Sequence, residues 1–308
     1  MDDEIGKRRL LGVAAGEGRW DSIQAGGSWA GDGELYPRAL VFAKPRKFAS
    51  SVEIALLAAA REASPIKVGM ALEMGANPNF EWSADLAGEG DGTALHALAQ
   101  SDGGKGWMAC LKMLMEVCDM RARNSMGHTP LMCAVFHQSP ERVAAMACGP
   151  WCLAQDDGGA TALMHAAASG RKKAVMALLP HSDPLAVNCR GETALMLAAG
   201  AVRGEWSEMI KMLLGGSNAN ARDHFGRNAL MIAAGNGGCS LPGLEALMEA
   251  SDPWACDSQG LDAAFFEAKA FGRREFKPVK QWMQREAERR ELEVASGRAE
   301  ISGKKPRL

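Results

Sequence analysis

Thr161-Ala162-Leu163-Met164 is one of five nearly identical strings that return along this chain at almost constant spacing. Successive strings start 36, 32, 32 and 35 residues apart. A period in this range is typical of a stack of similar units, each contacting its neighbours, and not of one globular core. The other four strings are Thr93-Ala94-Leu95-His96, Thr129-Pro130-Leu131-Met132, Thr193-Ala194-Leu195-Met196 and the degenerate Asn228-Ala229-Leu230-Met231.

Each unit presents the same residue types in the same order. A glycine such as Gly159 precedes the Thr, whose hydroxyl can cap the unpaired amides of a helix that starts there. An alanine-rich helical pattern follows, then a break such as Ser169-Gly170, then a second apolar pattern such as residues 174–179. The order predicts two helices per unit, joined by a short turn.

The unit resembles the ankyrin repeat, whose pattern is D-x-x-G-x-T-P-L-H-x-A-A followed by G-A-D-x-N. The resemblance covers roughly residues 51–275. It implies an all-α ankyrin-repeat solenoid of stacked antiparallel helix pairs with hairpin-like fingers, about six to seven units including the caps. The strings that carry it are Asp223-His224-Phe225-Gly226, Thr129-Pro130-Leu131, Gly75-Ala76-Asn77-Pro78-Asn79 and Ser217-Asn218-Ala219-Asn220-Ala221.

Three segments follow from the extent of the repeat. Residues 1–50 are glycine-rich, do not fit the repeat, and are expected to be an N-terminal extension or cap, or an arm that orders on binding. Residues 51–275 hold the array. Residues 276–308 are expected to form a C-terminal capping helix and a charged tail, because a last layer needs a polar outer face.

Composition excludes several classes of protein. The net charge of −2 provides no overall attraction to DNA or to an anionic membrane. We expect a cytoplasmic protein without a membrane span, since the start is acidic and no long apolar stretch occurs. The eight cysteines form no Cys-x-x-Cys pair and are expected to be buried, reduced thiols.

One position departs from the pattern of the family. The resemblance implies that the fourth-position histidine bonds across the loops of neighbouring repeats. Here only His96 keeps that residue, and methionine replaces it in the next four units. We therefore expect a structural role for His96 and thioether packing at the other positions.

No catalytic, cofactor or metal site is predicted. The glycine-rich string at 88–92 carries two carboxylates and follows no strand pattern, unlike a phosphate-binding loop. The best metal candidates are Cys133, His137, Cys148 and Cys152, but His137 is expected at the far end of the first helix while the three cysteines are expected near its start. One tetrahedral ion could not easily gather all four, so buried thiols are the favoured interpretation.

Candidate partner-binding residues lie on the fingers and beside enlarged turns. Three connections are longer than the pattern requires, at 80–91, 101–106 and 200–204. Either neutral drift or a role in binding a partner would explain their extra length. Trp151 and Trp254 are expected to fold over the next layer. The residues predicted to contact a partner are Trp107, Trp206, Arg121, Arg123, Arg222, His224 and Phe225.

These patterns favour a non-catalytic scaffold that recognises a specific folded protein through its concave face and fingers. A steric inhibitor of a toxin or a defence enzyme is the more specific form of this hypothesis, with no small-molecule substrate. The alternative is an enzyme whose site is completed by residues 1–50, with Glu34, Tyr36 and Arg38 as candidates. The third is a nucleic-acid binder, which Asp156 and Asp157 disfavour because they interrupt the basic fingers.

Overall fold

The chain forms paired helices throughout the part that the computed structural model describes. That part comprises residues 50–82, 91–137, 139–201, 206–236, 241–271 and 278–295. The side chains of residues 271 and 293–295 are not included in it. These residues hold fourteen α-helices and two short 3-10 turns, at Pro150–Leu153 and Leu179–His181. The helices are α1 (Ser51–Arg61), α2 (Pro65–Glu73), α3 (Ala94–Gln100), α4 (Trp107–Val117), α5 (Pro130–His137), α6 (Pro140–Met146), α7 (Ala162–Ala168), α8 (Lys172–Leu178), α9 (Ala194–Gly200), α10 (Trp206–Leu214), α11 (Ala229–Gly235), α12 (Leu241–Ala250), α13 (Ala263–Phe271) and α14 (Pro278–Ala295).

Consecutive helices form seven pairs that stack in two layers. The first helix of each pair packs on the first helix of the next, from α1 on α3 through to α11 on α13. The second helices pack likewise, as α2 does on α4 and α10 does on α12. Extended pairing among the described residues is limited to isolated bridges such as Gln155–Thr161. The predicted all-α solenoid is therefore confirmed, whereas residues 1–49 lie outside the described part.

The recurring Thr caps the first helix of a unit, as its position predicted. The Thr161 hydroxyl accepts the Met164 amide at 3.3 Å, and Thr193 accepts the Met196 amide at the same distance. In the degenerate string the Asn228 side-chain oxygen takes this role at 2.9 Å. The cap pairs one of the amide donors that a helix start leaves without a partner.

His96 joins two loops, which confirms its predicted structural role. The Thr93 amide donates to Nδ1 at 3.0 Å, so Nε2 carries the proton and donates to the His128 carbonyl oxygen at 3.0 Å. Burial lowers the pKa of His96 and keeps the ring neutral in this tautomer. In later units the Met sulfur still accepts the Thr amide, at 3.5 Å for Met164. A thioether has no proton to donate onward, so the bond to the next loop is lost.

The seven described cysteines differ in burial, which partly corrects the prediction of buried thiols. Cys118 is half-buried, and Cys239 lies outside the described residues. Cys110, Cys133 and Cys152 are buried in the core. Cys148, Cys189 and Cys256 are exposed, because they lie in connections between helices and not on packed faces.

Two tryptophans in the closing turns pack against the protein. Trp254 lies 6.4 Å from Trp282 of α14 between ring centroids, and the Arg290 guanidinium covers its ring at 4.3 Å. The ring of Trp254 therefore packs over the next layer, as predicted. Trp151 instead turns back on its own unit, where its indole N–H donates to the Met146 carbonyl oxygen at 2.6 Å.

Gly159 is required by close packing between units. Its φ of +73° is in the left-handed region, and a Cβ there would lie 2.9 Å from the Cys189 amide nitrogen. Gly260 has a similar φ of +80°, but a Cβ there would meet nothing within 4 Å.

We expect Gly159→Ala to lower the free energy of unfolding by about 2 kcal/mol, through backbone strain and the clash with the next unit. Gly260→Ala serves as the control and should cost about 1 kcal/mol from strain alone. Urea denaturation of both variants measures the difference. Equal losses would mean that the contact with Cys189 imposes no restriction.

Candidate functional site

Trp107 and Trp206 are core residues, which corrects the prediction that they contact a partner. Their side chains are 1% and 3% exposed. Each indole N–H reaches back to the end of the first helix in its own pair, to Leu98 O at 3.0 Å and to Ala198 O at 2.7 Å. Both rings lie at the start of a second helix that follows an enlarged turn. They complete the packing of that pair and offer no surface to a partner.

A row of short turns runs along the edge of the first-helix layer. We call the segments 123–128, 155–160, 187–192, 222–227 and 256–261 the fingers. Successive fingers are joined by backbone hydrogen bonds, Cys189 N to Gly158 O at 2.9 Å and His224 N to Arg190 O at 3.0 Å. Ser258 N makes the corresponding bond to the preceding finger at 3.0 Å. These bonds hold the later fingers in a fixed register.

Arg123 and Arg222, which were predicted to contact a partner, also join fingers to one another. Both are the first residue of a finger. Arg123 pairs with Asp157 at 2.8 Å and donates to the Gln155 carbonyl oxygen at 2.5 Å, in the following finger. Arg222 donates in the same way to the carbonyl oxygen of Cys256. Their guanidinium groups therefore stabilise the row, while their side chains keep an exposed edge.

The other three predicted contact residues lie at the surface. Arg121 and His224 are exposed. Phe225 is 58% exposed at a finger tip, and the Arg227 guanidinium lies 4.9 Å from its ring centroid. Arg227 is itself held by Asp223 at 2.7 Å. An exposed aromatic ring fixed beside a cation is a suitable contact for another protein.

A groove opens next to Phe225, between the fingers and the first-helix layer. It has a volume of about 420 Å³, and a smaller depression of about 180 Å³ adjoins it along Phe225 and Phe265. The groove is lined chiefly by Arg227, Ile232, Asn236, Phe266 and Lys269. Its walls thus combine apolar side chains with two cations.

Sequence reasoning did not identify the groove residues. Ile232 follows Asn228, the first residue of its repeat string, by four positions. In the last unit Asp262 takes the place of that residue, and Phe266 and Lys269 follow it by four and seven positions. These positions face the groove because they share one side of the first helix. A comparison of the residue four positions after this start across all units would have shown large apolar residues in the last three, Leu197, Ile232 and Phe266.

One group of side chains among the described residues could hold a metal ion. It consists of His128, Asp156 and His165, whose ligand atoms all lie within 4.8 Å of one another. The earlier metal candidates are placed differently, since Cys133 is buried while His137 and Cys148 are exposed.

Comparison with known proteins identifies the repeat. A family model described as "Ankyrin repeats (3 copies)" matches residues 143–204, and a model of the single ankyrin repeat matches residues 190–224. The array is similar to the crystal structure of the ankyrin repeat domain of Bcl-3, described as a unique member of the IkappaB protein family. The TM-score is 0.60 at 21% identity, over 74% of this chain and 97% of that one. At this identity the likeness shows the fold alone.

None of the helices in the described residues combines the length and the apolar character that crossing a membrane requires.

Proposed function

Because this chain belongs to the ankyrin repeat family, whose members are in general protein-binding scaffolds, we propose that it binds one folded protein through the groove and the adjoining fingers. The observation that carries the proposal is the exposed ring of Phe225 beside a groove walled by Ile232 and Phe266. Large apolar side chains grouped on a surface mark contact sites for other proteins.

The charges around the groove indicate the chemistry of the partner. Lys269, Arg222 and His224 are exposed, and Arg227 lies in the groove wall. Asp223 and Glu192 pair with arginines in this region, and Asp257 lines the adjoining depression. Cations therefore outnumber carboxylates only in the wall of the groove itself, which Arg227 and Lys269 line. A complementary partner would present carboxylates around a protruding apolar side chain.

The proposed mechanism is steric and non-catalytic. The backbone bonds between fingers present a preformed surface, which reduces the ordering cost of association. This chain would cover the part of the partner's surface that lies in the groove. In the specific form that we propose, the partner is a toxin or a defence enzyme, and masking inhibits it.

A double variant, Phe225→Ala with Lys269→Glu, tests the groove. We expect it to weaken the affinity for the partner by at least about 30-fold, as loss of a central contact does. The partner would first be identified by affinity capture with mass spectrometry. The dissociation constant would then be measured with the purified partner, together with its activity at increasing occupancy.

The matched control replaces an exposed apolar residue and an exposed lysine in the same way on the second-helix layer, as Met108→Ala with Lys112→Glu. Both side chains are exposed on α4. This variant should bind as the unmodified chain does. The proposal fails if the groove variant retains full affinity, or if the control variant loses as much.

A further inference from the structure

Three side chains from separate parts of the array converge beside two of the fingers. His128 ends the first finger, Asp156 is the second residue of the next finger, and His165 is on α7. His165 Nε2 lies 2.7 Å from Asp156 Oδ2, and the two imidazole rings meet edge to face with centroids 4.9 Å apart. We call these three residues the His–Asp cluster. Helix stacking assembles it from residues up to one full repeat apart.

The fold does not require either histidine. Each lies at a position where the other repeats carry varied residues, so neither serves the common architecture. The residues that correspond to His128 are Gly92, Ala160, Glu192, Arg227 and Leu261, and those that correspond to His165 are Ala97, Cys133, Leu197, Ile232 and Phe266. Two imidazoles that face each other are thus particular to this one interface between repeats.

The carboxylate of Asp156 has one oxygen more than its turn uses. Oδ1 accepts the Ala160 amide at 2.7 Å, which closes the finger. In the neighbouring fingers Asn124 and Asn188 close the same turn with one amide oxygen, each accepting at 2.9 Å. A neutral side chain therefore suffices for the fold. The second oxygen of Asp156 is left to face His165.

The surroundings of the cluster hold its side chains in a restricted position. The Phe136 ring packs 5.5 Å from His165 and 6.1 Å from His128 between centroids. The side chains of His165 and Asp156 are only 19% and 9% exposed.

We propose that the His–Asp cluster binds a zinc ion through one nitrogen of His128, one nitrogen of His165 and Oδ2 of Asp156. Two imidazoles and a carboxylate are a usual donor set for this ion, with water in the fourth position. Imidazole donors also disfavour the hard cations Mg²⁺ and Ca²⁺.

The distances are compatible with coordination after small side-chain rotations. Ligand atoms of a tetrahedral zinc ion lie about 2.0–2.1 Å from the metal, and hence about 3.3 Å from one another. The hydrogen-bonded pair at 2.7 Å must open by about 0.6 Å, and the widest separation of at most 4.8 Å must close by about 1.5 Å. When the metal binds, the proton that His165 Nε2 shares with Asp156 passes to solvent, and Nδ1 takes up a proton in its place, so that a neutral imidazole ligates the metal. The bound ion would fasten two fingers to α7, whether or not a protein occupies the groove.

Substitutions that copy the neighbouring repeats test the site without disturbing the fold. They are Asp156→Asn, as at Asn124 and Asn188, His165→Leu, as at Leu197, and His128→Ala, as at Ala160. The full chain, treated with a chelator, is titrated with ZnCl₂ in a calorimeter. We expect one equivalent to bind to the unmodified chain. Each substitution should weaken binding by at least about 100-fold, since even an outer-shell partner contributes about 10–100-fold.

Two further measurements distinguish the cluster from exposed thiols or other histidines. His224→Ala removes an exposed imidazole on another finger and should leave zinc affinity unchanged. Zinc should raise the melting temperature of the unmodified chain and not that of the three cluster variants. The proposal is overturned if no zinc binds, if binding survives His165→Leu and Asp156→Asn, or if MgCl₂ reproduces the effect.

Discussion

Replacing Trp206 with alanine is expected to lower the free energy of unfolding by about 3–5 kcal/mol, the range for removal of a large buried ring. The ring lies between two repeats, since a Cβ added to Gly243 of α12 would be 2.1 Å from its Cζ3 atom. Its N–H also pairs the Ala198 carbonyl oxygen at 2.7 Å. The substitution would leave a cavity between α10 and α12 and a buried acceptor without its donor.

Urea denaturation followed by circular dichroism measures this loss, and two variants calibrate it. Trp206→Phe keeps most of the ring and should cost about 1–2 kcal/mol, mainly from the hydrogen bond. Phe225→Ala removes an exposed ring and should change stability by less than about 0.5 kcal/mol. A loss below about 1 kcal/mol for Trp206→Ala would show that the ring is not a core residue. If the expected loss is found, this variant cannot serve as a test of partner binding.

Replacing Glu267 with glutamine is expected to cost about 3 kcal/mol, because its carboxylate holds the start of the last helix. The side chain is fully buried. Its two oxygens accept the amides of Val279 at 2.8 Å and Lys280 at 3.0 Å, at the first turn of α14. Glutamine has only one acceptor oxygen, so its NH₂ group would face the second amide and leave a buried donor unpaired. The substitution would also remove a negative charge, which in the unmodified chain stabilises the N-terminus of the helix.

This effect should be local to the end of the array. Only nearest-neighbour contacts hold a terminal helix in a stack, so α14 can detach while earlier units stay folded. Hydrogen exchange should therefore quicken in α14 before it does in α7 or α9. Glu249→Gln, at an exposed glutamate of α12, is the matched control and should have almost no effect. Uniform acceleration along the chain would contradict the local role of Glu267.

The repeat itself could be predicted because its signals are local. A Thr that caps a helix, a glycine in a left-handed turn and small alanines at a helix contact each act within a few residues. Seven helix pairs follow from counting these signals, and the role of His96 followed from its place in the unit. The cysteines were predicted less well, since Cys189 and Cys256 lie on fingers outside the helical patterns.

The surface residues were harder to predict because exposure depends on the next unit. Trp107 and Trp206 stand beside enlarged turns, a position that favoured a surface role, yet both rings turn inward to pair a helix end. Arg123 and Arg222 were chosen for their charge, and the neighbouring finger determines that they also bond within the protein.

The sequence by itself determined the architecture and the approximate number of units, because each depends on residues close together along the chain. Tertiary structure alone decided which rings are buried, which residues line the groove, and that His128, Asp156 and His165 meet. Those outcomes depend on contacts between side chains about a repeat apart, whose directions are set only when one helix pair packs on the next.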